Sequence, residues 1–330
     1  MVVVSGVTAC SPLYVIRAGI AEARILAARR PIPEVVLDPD TDPRTAGKLV
    51  LAMEAREYAR DSLGLDVGDA YTSFTRLESD TLALVLSAAH RDRLESKTWW
   101  FPIVGRVPYR GFFDEDDALE EQRELEAQGF DTYLRPTAAF STLGWFNDPL
   151  LSTTLRADSV DLVNTVIHEL THNRYFAKGE AVFNESFANF VGARGAEWFF
   201  RTRGDTVRAE RAVDRWADDR VLAAYWAQLY RRLDSAFRAH PGGSLRGQRI
   251  ALRDSFYVDA RRVLRDSVAP LWRTIDAGYA DRVPLDNAAL MARRIYLTDL
   301  ERFEAVYDSA GRDVRAAIEM LISRHRAGSF

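Results

Sequence analysis

Val163-Asn-Thr-Val-Ile-His168-Glu169-Leu170-Thr171-His172 is the segment on which the reading of this chain turns. It is H-E-x-x-H within an apolar helical run that also contains Leu162, Val166 and Ile167. Residues four apart on a helix lie one above the other, so the imidazoles of His168 and His172 can reach one ion. Neutral imidazole is a good zinc ligand. Glu169 follows the first histidine directly and falls beside the metal rather than on it. There it can act as a base toward a zinc-bound water, whose pKa the ion lowers to about 7. An ordinary helix would have to bury two imidazoles without partners, at a cost, so the metal reading is favoured.

A catalytic zinc site needs a third protein ligand and one open position. The zinc helix is expected to end near Lys178-Gly179, and Phe183-Asn-Glu-Ser-Phe-Ala188 then opens the next one. Glu185 is the third-ligand candidate, against the plain alternative of a carboxylate favoured by a helix N-terminus. Glu180 and Glu197 are weaker candidates, expected to be solvated. No third histidine follows His172 at close spacing. Asn189, one turn after Glu185, is a candidate partner for a ligating histidine. Tyr175, Tyr296 and Arg110 are alternatives for stabilising the developing oxyanion, and sequence does not choose among them. Asp148 and Glu180 are alternatives for binding a free amino terminus.

Around this motif the chain reads as a predominantly helical α+β fold, with a small β-sheet beside a zincin-like H-E-x-x-H helix. Residues 14–30 are expected to be helical and to stop at Pro31 and Pro33. A second helix is expected over Thr45–Leu63, with Leu49, Met53 and Leu63 buried and Gly64 as its stop. Strands are expected at Thr81–Leu86, Thr98–Val104, Val107–Phe113, Thr132–Leu134 and Ala139–Phe146, with one helix at Glu115–Gln128. From Ser159 onward helices follow one another: Val160–Ala177, Asn184–Arg201, Thr206–His240, Gln248–Val268, Asp286–Ser309 and Arg312–Arg326. The organisation expected is a signal remnant at 1–10 and one metallopeptidase domain at 11–330. That domain divides into a helical piece (11–69), a sheet region (70–158) and the zinc-binding and C-terminal helices (159–330).

Bulk properties narrow the function. The 330 residues are 47% hydrophobic and carry a formal net charge of −4, which gives no reason to expect nucleic acid as a partner. The basic residues are nearly all arginine, with lysine only at 48, 97 and 178. Cys10 is the only cysteine, which excludes an intrachain disulfide and a four-cysteine zinc site. Val7-Thr8-Ala9-Cys10 resembles a bacterial lipobox, although no basic residue precedes Arg17. A lipid on Cys10 would attach the protein to a membrane, in the cell envelope facing the periplasm. The alternative is a structural cysteine in a buried N-terminal strand.

His168-Glu-Leu-Thr-His172 with Asn184-Glu185 resembles the gluzincins, in which a glutamate is the third zinc ligand. More narrowly, the chain is similar to a family of bacterial zinc aminopeptidases, many of them lipoproteins. The stretches that carry this are Arg29-Arg-Pro-Ile32, residues 101–113 (Phe-Pro-Ile-Val-Gly-Arg-Val-Pro-Tyr-Arg-Gly-Phe-Phe), residues 141–153 (Ser-Thr-Leu-Gly-Trp-Phe-Asn-Asp-Pro-Leu-Leu-Ser-Thr), the H-E-x-x-H helix, Phe183–Ala188 and Asp286-Asn-Ala-Ala289. The resemblance implies one zinc per chain, held by His168, His172 and Glu185, and a peptide substrate. It also implies that Ser141–Phe146 is an edge strand able to pair with extended substrate; a core strand is the other reading. The competing functions are a zinc amidase acting on cell-wall peptides and a non-catalytic zinc-binding lipoprotein. Glu169 argues against the last, because a structural site closes with four protein ligands and has no use for a base.

Overall fold

The computed structural model describes residue 19 and residues 23–77, 83–101, 105–137 and 148–330. Within them the chain is a predominantly helical α+β fold with small sheets. Residues 23–27 are helical. β1 (Arg30–Pro31) leads into α1 (Ile32–Leu37) and α2 (Pro43–Asp61). Pro33 therefore does not end a helix, as expected from sequence, but sits in the first turn of one. Its missing N–H would have had no partner there. Leu49 and Leu63 are buried as expected, Met53 is partly so, and Gly64 ends the segment at φ +70°.

The middle of the chain supplies β2 (Ser73–Thr75), β3 (Ala83–His90), β4 (Trp99–Phe101), β5 (Gly105–Val107), β6 (Tyr109–Phe112), α3 (Glu115–Ala127), β7 (Phe130–Thr137) and β8 (Leu150–Leu151). The strand expected at Val107–Phe113 is interrupted at Pro108, which has no N–H to give to a ladder. β7 extends well beyond the expected Thr132–Leu134, and Pro136 is tolerated because β7 is an edge strand of the sheet β6-β3-β7. The sheet β1-β2-β8 was not anticipated, because strands of two or three residues carry no periodic signal. The expected strand Ala139–Phe146, its proposed substrate-pairing role and Cys10 all lie outside the described residues.

The helical half contains α4 (Ser159–Arg174), α5 (Ala181–Thr202), α6 (Thr206–Arg238), α7 (Arg246–Val263), α8 (Tyr279–Arg282), α9 (Asn287–Tyr296), α10 (Leu300–Ser309) and α11 (Val314–Arg326). Aspartate begins many of these helices. Asp42, Asp114, Asp158, Asp205, Asp286 and Asp313 each accept a first-turn backbone N–H at a helix start. Two expected helices are broken. The one read over Gln248–Val268 changes to π-type turns at Leu264. The one read over Asp286–Ser309 splits between Tyr296 and Leu300, with Asp299 at φ +56°. Ser186 of α5 explains this second break: its hydroxyl donates to the Ile295 carbonyl and accepts from Thr298 N, each at 3.2 Å.

The largest core joins Val163, Ile167 and Leu170 of α4 to Phe187, Phe190 and Val191 of α5, with α2, α10 and α11 around them. Full burial of such side chains is worth about 1.5–3 kcal/mol each. A second core lies among α6, α7 and α9. The third packs one face of β6-β3-β7 on α3 through Leu86, Ala88, Phe112, Ala118 and Leu125. The opposite face of that sheet carries polar side chains. Register places Tyr109 and Tyr133 across from Ser87, and Arg135 across from Val85. Side chains alternate along a strand, so these three share the face away from α3.

Candidate metal centre

Two local features bring α4 and α5 into register. The first is loop closure. The Asn184 side chain accepts from Ala177 N and donates to Ala177 O, both at 2.8 Å, which ties the 175–180 connection to the first turn of α5. Gly179, at φ +84°, allows the chain to turn there. Glu185 is the next residue. The second feature is close approach. A Cβ on Gly192 would meet the Asn164 side chain, and would lie 2.9 Å from the Asn164 carbonyl and 3.2 Å from His168 Cβ. Only glycine lets α5 lie so near the motif.

The result is a cluster of three ligand types. Glu185 Oε2 lies 3.3 Å from His168 Nε2, and its Oε1 lies 3.8 Å from His172 Nε2. One donor atom from each of the three falls within 4.8 Å of the others. Zinc bonds of about 2.0–2.1 Å in tetrahedral geometry separate ligand atoms by roughly 3.3–3.4 Å, so this donor set fits such an ion with little movement.

Electrostatics favour the ligand forms. Burial, with the charge of His168, pushes the His172 imidazole down to about 4, so it is neutral at physiological pH. Its Nδ1 is buried without a partner among the described residues. Burial would raise Glu185, but its hydrogen bond to His168, with both imidazoles and Arg135 adding, holds it below the ordinary range. Glu169 does not belong to the trio. Burial pushes its carboxyl up to about 7, with Glu185 and Asp148 adding to the rise and His168 opposing it. A carboxyl near neutrality is suited to accepting and returning a proton.

Each remaining candidate can now be placed. Tyr296 reaches the centre: its ring stacks toward His168 at 6.5 Å, and its OH accepts from Arg135 Nη2 at 3.3 Å. Burial and the nearby Glu185 push its phenol well up, so it keeps its proton. Tyr175 turns the other way, to His325 Nδ1 at 2.9 Å. Arg110 lies on the α3 side of the sheet, donating to Glu121 at 2.6 Å. Glu180 is exposed and meets His325 Nε2 at 2.9 Å. Glu197 is buried rather than solvated, since Arg194 and Arg201 both reach it at 2.7 and 3.1 Å. Asn189 bonds the Tyr296 carbonyl at 3.4 Å and the Asp219 carboxylate rather than a histidine. Asp148 is buried and close enough to raise Glu169.

Sequence reasoning missed Tyr109, Arg135 and Tyr71. The Tyr109 phenol is pushed up to about 12 by burial, then by Glu185, with Glu169 adding and Arg135 opposing. Tyr71 sits at φ +59°, donates its N–H to Asp148 O at 2.8 Å, and has a phenol raised by burial, Glu169 and Asp148. Strand alternation was the available signal for Tyr109: it separates Tyr109 from Arg110 and places only the former on the face shared with Arg135.

Taken together these features define a helical α+β protein in which two histidines and a glutamate meet on adjacent helices beside a half-buried carboxylate. The chain belongs to the family described as "Putative aminopeptidase", which it matches over residues 13–326. No curated protein and no solved structure matches it.

Proposed function

We propose that this chain is a zinc-dependent peptidase, acting as an aminopeptidase, with a gluzincin-like centre of His168, His172 and Glu185 holding one ion. The meeting of these three donors at the spacing of a single zinc site, beside Glu169, supports this reading most directly. Bound zinc supplies Lewis acidity, which acidifies a water molecule to a pKa near 7 and polarises the scissile carbonyl. Glu169 removes a proton from the water as its oxygen adds to the carbonyl carbon. It then delivers that proton to the nitrogen as the C–N bond breaks. Tyr296 donates its O–H to the carbonyl oxygen as negative charge develops there. Asp148, which is close enough to act on Glu169, is assigned to the free amino terminus.

The location proposed is the cell envelope, through a lipid on Cys10. No helix among the described residues is long and apolar enough to cross a membrane. Protein made with its signal should partition with membranes, and Cys10→Ser should release it. Recovery of the native protein in the cytosol with Met1 intact would remove the anchoring proposal.

The two glutamates give opposite signatures, which test the function. Purified protein should contain about one zinc per chain, lost on His168→Ala or His172→Ala. Glu169→Gln should retain zinc while turnover falls by about 10²–10⁴-fold. Glu185→Gln should weaken zinc binding first and recover partly with added zinc. If Glu169→Gln loses the metal while Glu185→Gln keeps both metal and activity, the assignment is mistaken.

A further inference from the structure

On the β7–α9 face beside the candidate centre, two partly buried arginines differ from several others of this protein in what they touch. Arg194, Arg215, Arg249 and Arg253 each grip a carboxylate. Arg135 has no carboxylate within ion-pair distance among the described residues. Its guanidinium donates to the Tyr296 hydroxyl at 3.3 Å and lies 5.5 Å from that ring's centre. Arg293, on α9, donates to the Tyr133 hydroxyl at 3.2 Å. Its guanidinium is lined by the rings of Tyr133, Trp226 and Tyr279 at 5.5–5.7 Å, and its Nε is buried without a partner among the described residues. Holding a half-buried guanidinium without a directly paired carboxylate costs free energy, which contact with aromatic rings partly offsets.

The position of Arg135 gives that cost a use. Its charge acts on Glu185, Tyr109 and Tyr296, all groups of the centre. It is joined to the centre through Tyr296, whose ring faces His168. A guanidinium presents paired N–H donors that match a carboxylate in a bidentate way, and few of these donors are engaged here.

We infer that Arg135 forms a subsite for a carboxylate of the substrate, so that the enzyme prefers short peptides with a free carboxylate close to the scissile bond. This rests on the peptidase reading and names its substrate class. The carboxylate could be the C-terminus of a dipeptide or an acidic side chain, and the two sources are separable.

The experiment compares matched pairs on the zinc-loaded protein: leucyl-alanine against leucyl-alanine amide, and a glutamyl against a glutaminyl anilide. Wild type should favour the carboxylate member of at least one pair by about tenfold or more in kcat/KM, mainly through KM. The pair that responds identifies the source. Arg135→Gln should collapse that ratio toward one, and Arg135→Lys should restore part of it. Arg232→Gln, which alters a surface ion pair with Asp259, should leave the ratio as in wild type. Equal rates on both pairs in wild type overturn the subsite, as does a preference that survives Arg135→Gln. So does an Arg135→Gln that lowers both members equally, which is what a purely structural arginine would give. Calorimetric titration with the same two dipeptides separates this from the parent reading. If nothing is hydrolysed, yet leucyl-alanine binds more tightly than its amide and Arg135→Gln removes the difference, the subsite stands and the peptidase does not. Equal binding of the two dipeptides, with hydrolysis of neither anilide favoured, overturns the subsite while zinc-dependent cleavage remains intact.

Discussion

Burial acts on His172 and Glu185 alike, yet leaves both in the form a metal needs. It disfavours charge on each, so His172 stays neutral. Glu185 would be raised by the same effect, but the two histidines offset it. Tyr296 depends on the same balance: burial and Glu185 keep its proton in place as a donor. Tyr296→Phe should therefore lower kcat by about 10²–10³-fold while moving KM little, the usual loss for one oxyanion donor. Steady-state kinetics at fixed zinc occupancy check this, and an unchanged kcat would take Tyr296 out of the chemistry. At this scale the sequence was legible where the candidate site lies along one helix. His168, Glu169 and His172 follow from helical spacing alone, and Glu185 from the opening of the next helix. Tyr109 and Arg135 were not legible, because they meet the centre only through the register of β6 and β7 on β3.

Among the elements, α4 and α5 carry the candidate centre, and their contact depends on side chains that are small or absent. Gly192→Ala should push α5 away from α4, because the clash includes the Asn164 backbone carbonyl as well as its side chain. The expected cost is about 1–3 kcal/mol of stability, with weaker zinc binding as Glu185 moves from the histidines. Gly195→Ala should be milder, since its Cβ would meet side-chain methyls of Ile167 and Leu63, at 3.0 Å, and no backbone. Thermal melts with and without zinc distinguish them; equal effects would mean that Gly192 does not set the spacing. The start of α4 makes a pH-dependent prediction. Burial would raise Asp158, but Arg215 and the N–H groups of Asp161 and Val160 hold its carboxyl well below the usual range. A depressed carboxyl contributes stability that is present above about pH 4 and lost as pH falls below it. Asp158→Asn still caps the helix but gives up the contacts with Arg215 and Arg211. It should cost about 0.5–1 kcal/mol at pH 7, given the partial exposure of the carboxylate. The gap from wild type should begin to narrow as pH falls below about 4 and go on narrowing in stronger acid. A gap that widens in acid would contradict the assignment. The helix starts were readable in principle from their aspartates. The split of the helix expected over Asp286–Ser309 was not, because its cause is Ser186, about a hundred residues earlier in the chain.

For the molecule as a whole, the question is what holds the arginine- and tyrosine-bearing face of the sheet against α4 and α5, and α9 is the element between them. Asn287, its first residue, is fully buried and engaged on every side. Its backbone N–H reaches Asp131 of β7 at 3.1 Å. Its side-chain nitrogen donates to the His90 carbonyl at the end of β3 at 2.7 Å. Its side-chain oxygen accepts from Tyr257 of α7 at 2.7 Å. One amide thus joins the sheet, α7 and the helix that carries Arg293 and Tyr296. Asn287→Ala leaves the Tyr257 hydroxyl and the His90 carbonyl without these partners in a buried place, each at about 1–3 kcal/mol. Total destabilisation of about 2–4 kcal/mol is expected. Tyr257→Phe removes a single bond and should cost less than Asn287→Ala. Activity should fall in Asn287→Ala even where the protein remains folded, because α9 would no longer hold Tyr296 in place, while zinc content, set by α4 and α5, should stay near one per chain. Hydrogen exchange completes the test: protection in α9 and in β3–β7 should fall together in Asn287→Ala, with α4 and α5 unchanged. If α4 and α5 lose protection equally, or zinc is lost in step with activity, Asn287 supports the general core rather than the junction between the sheet and the metal centre.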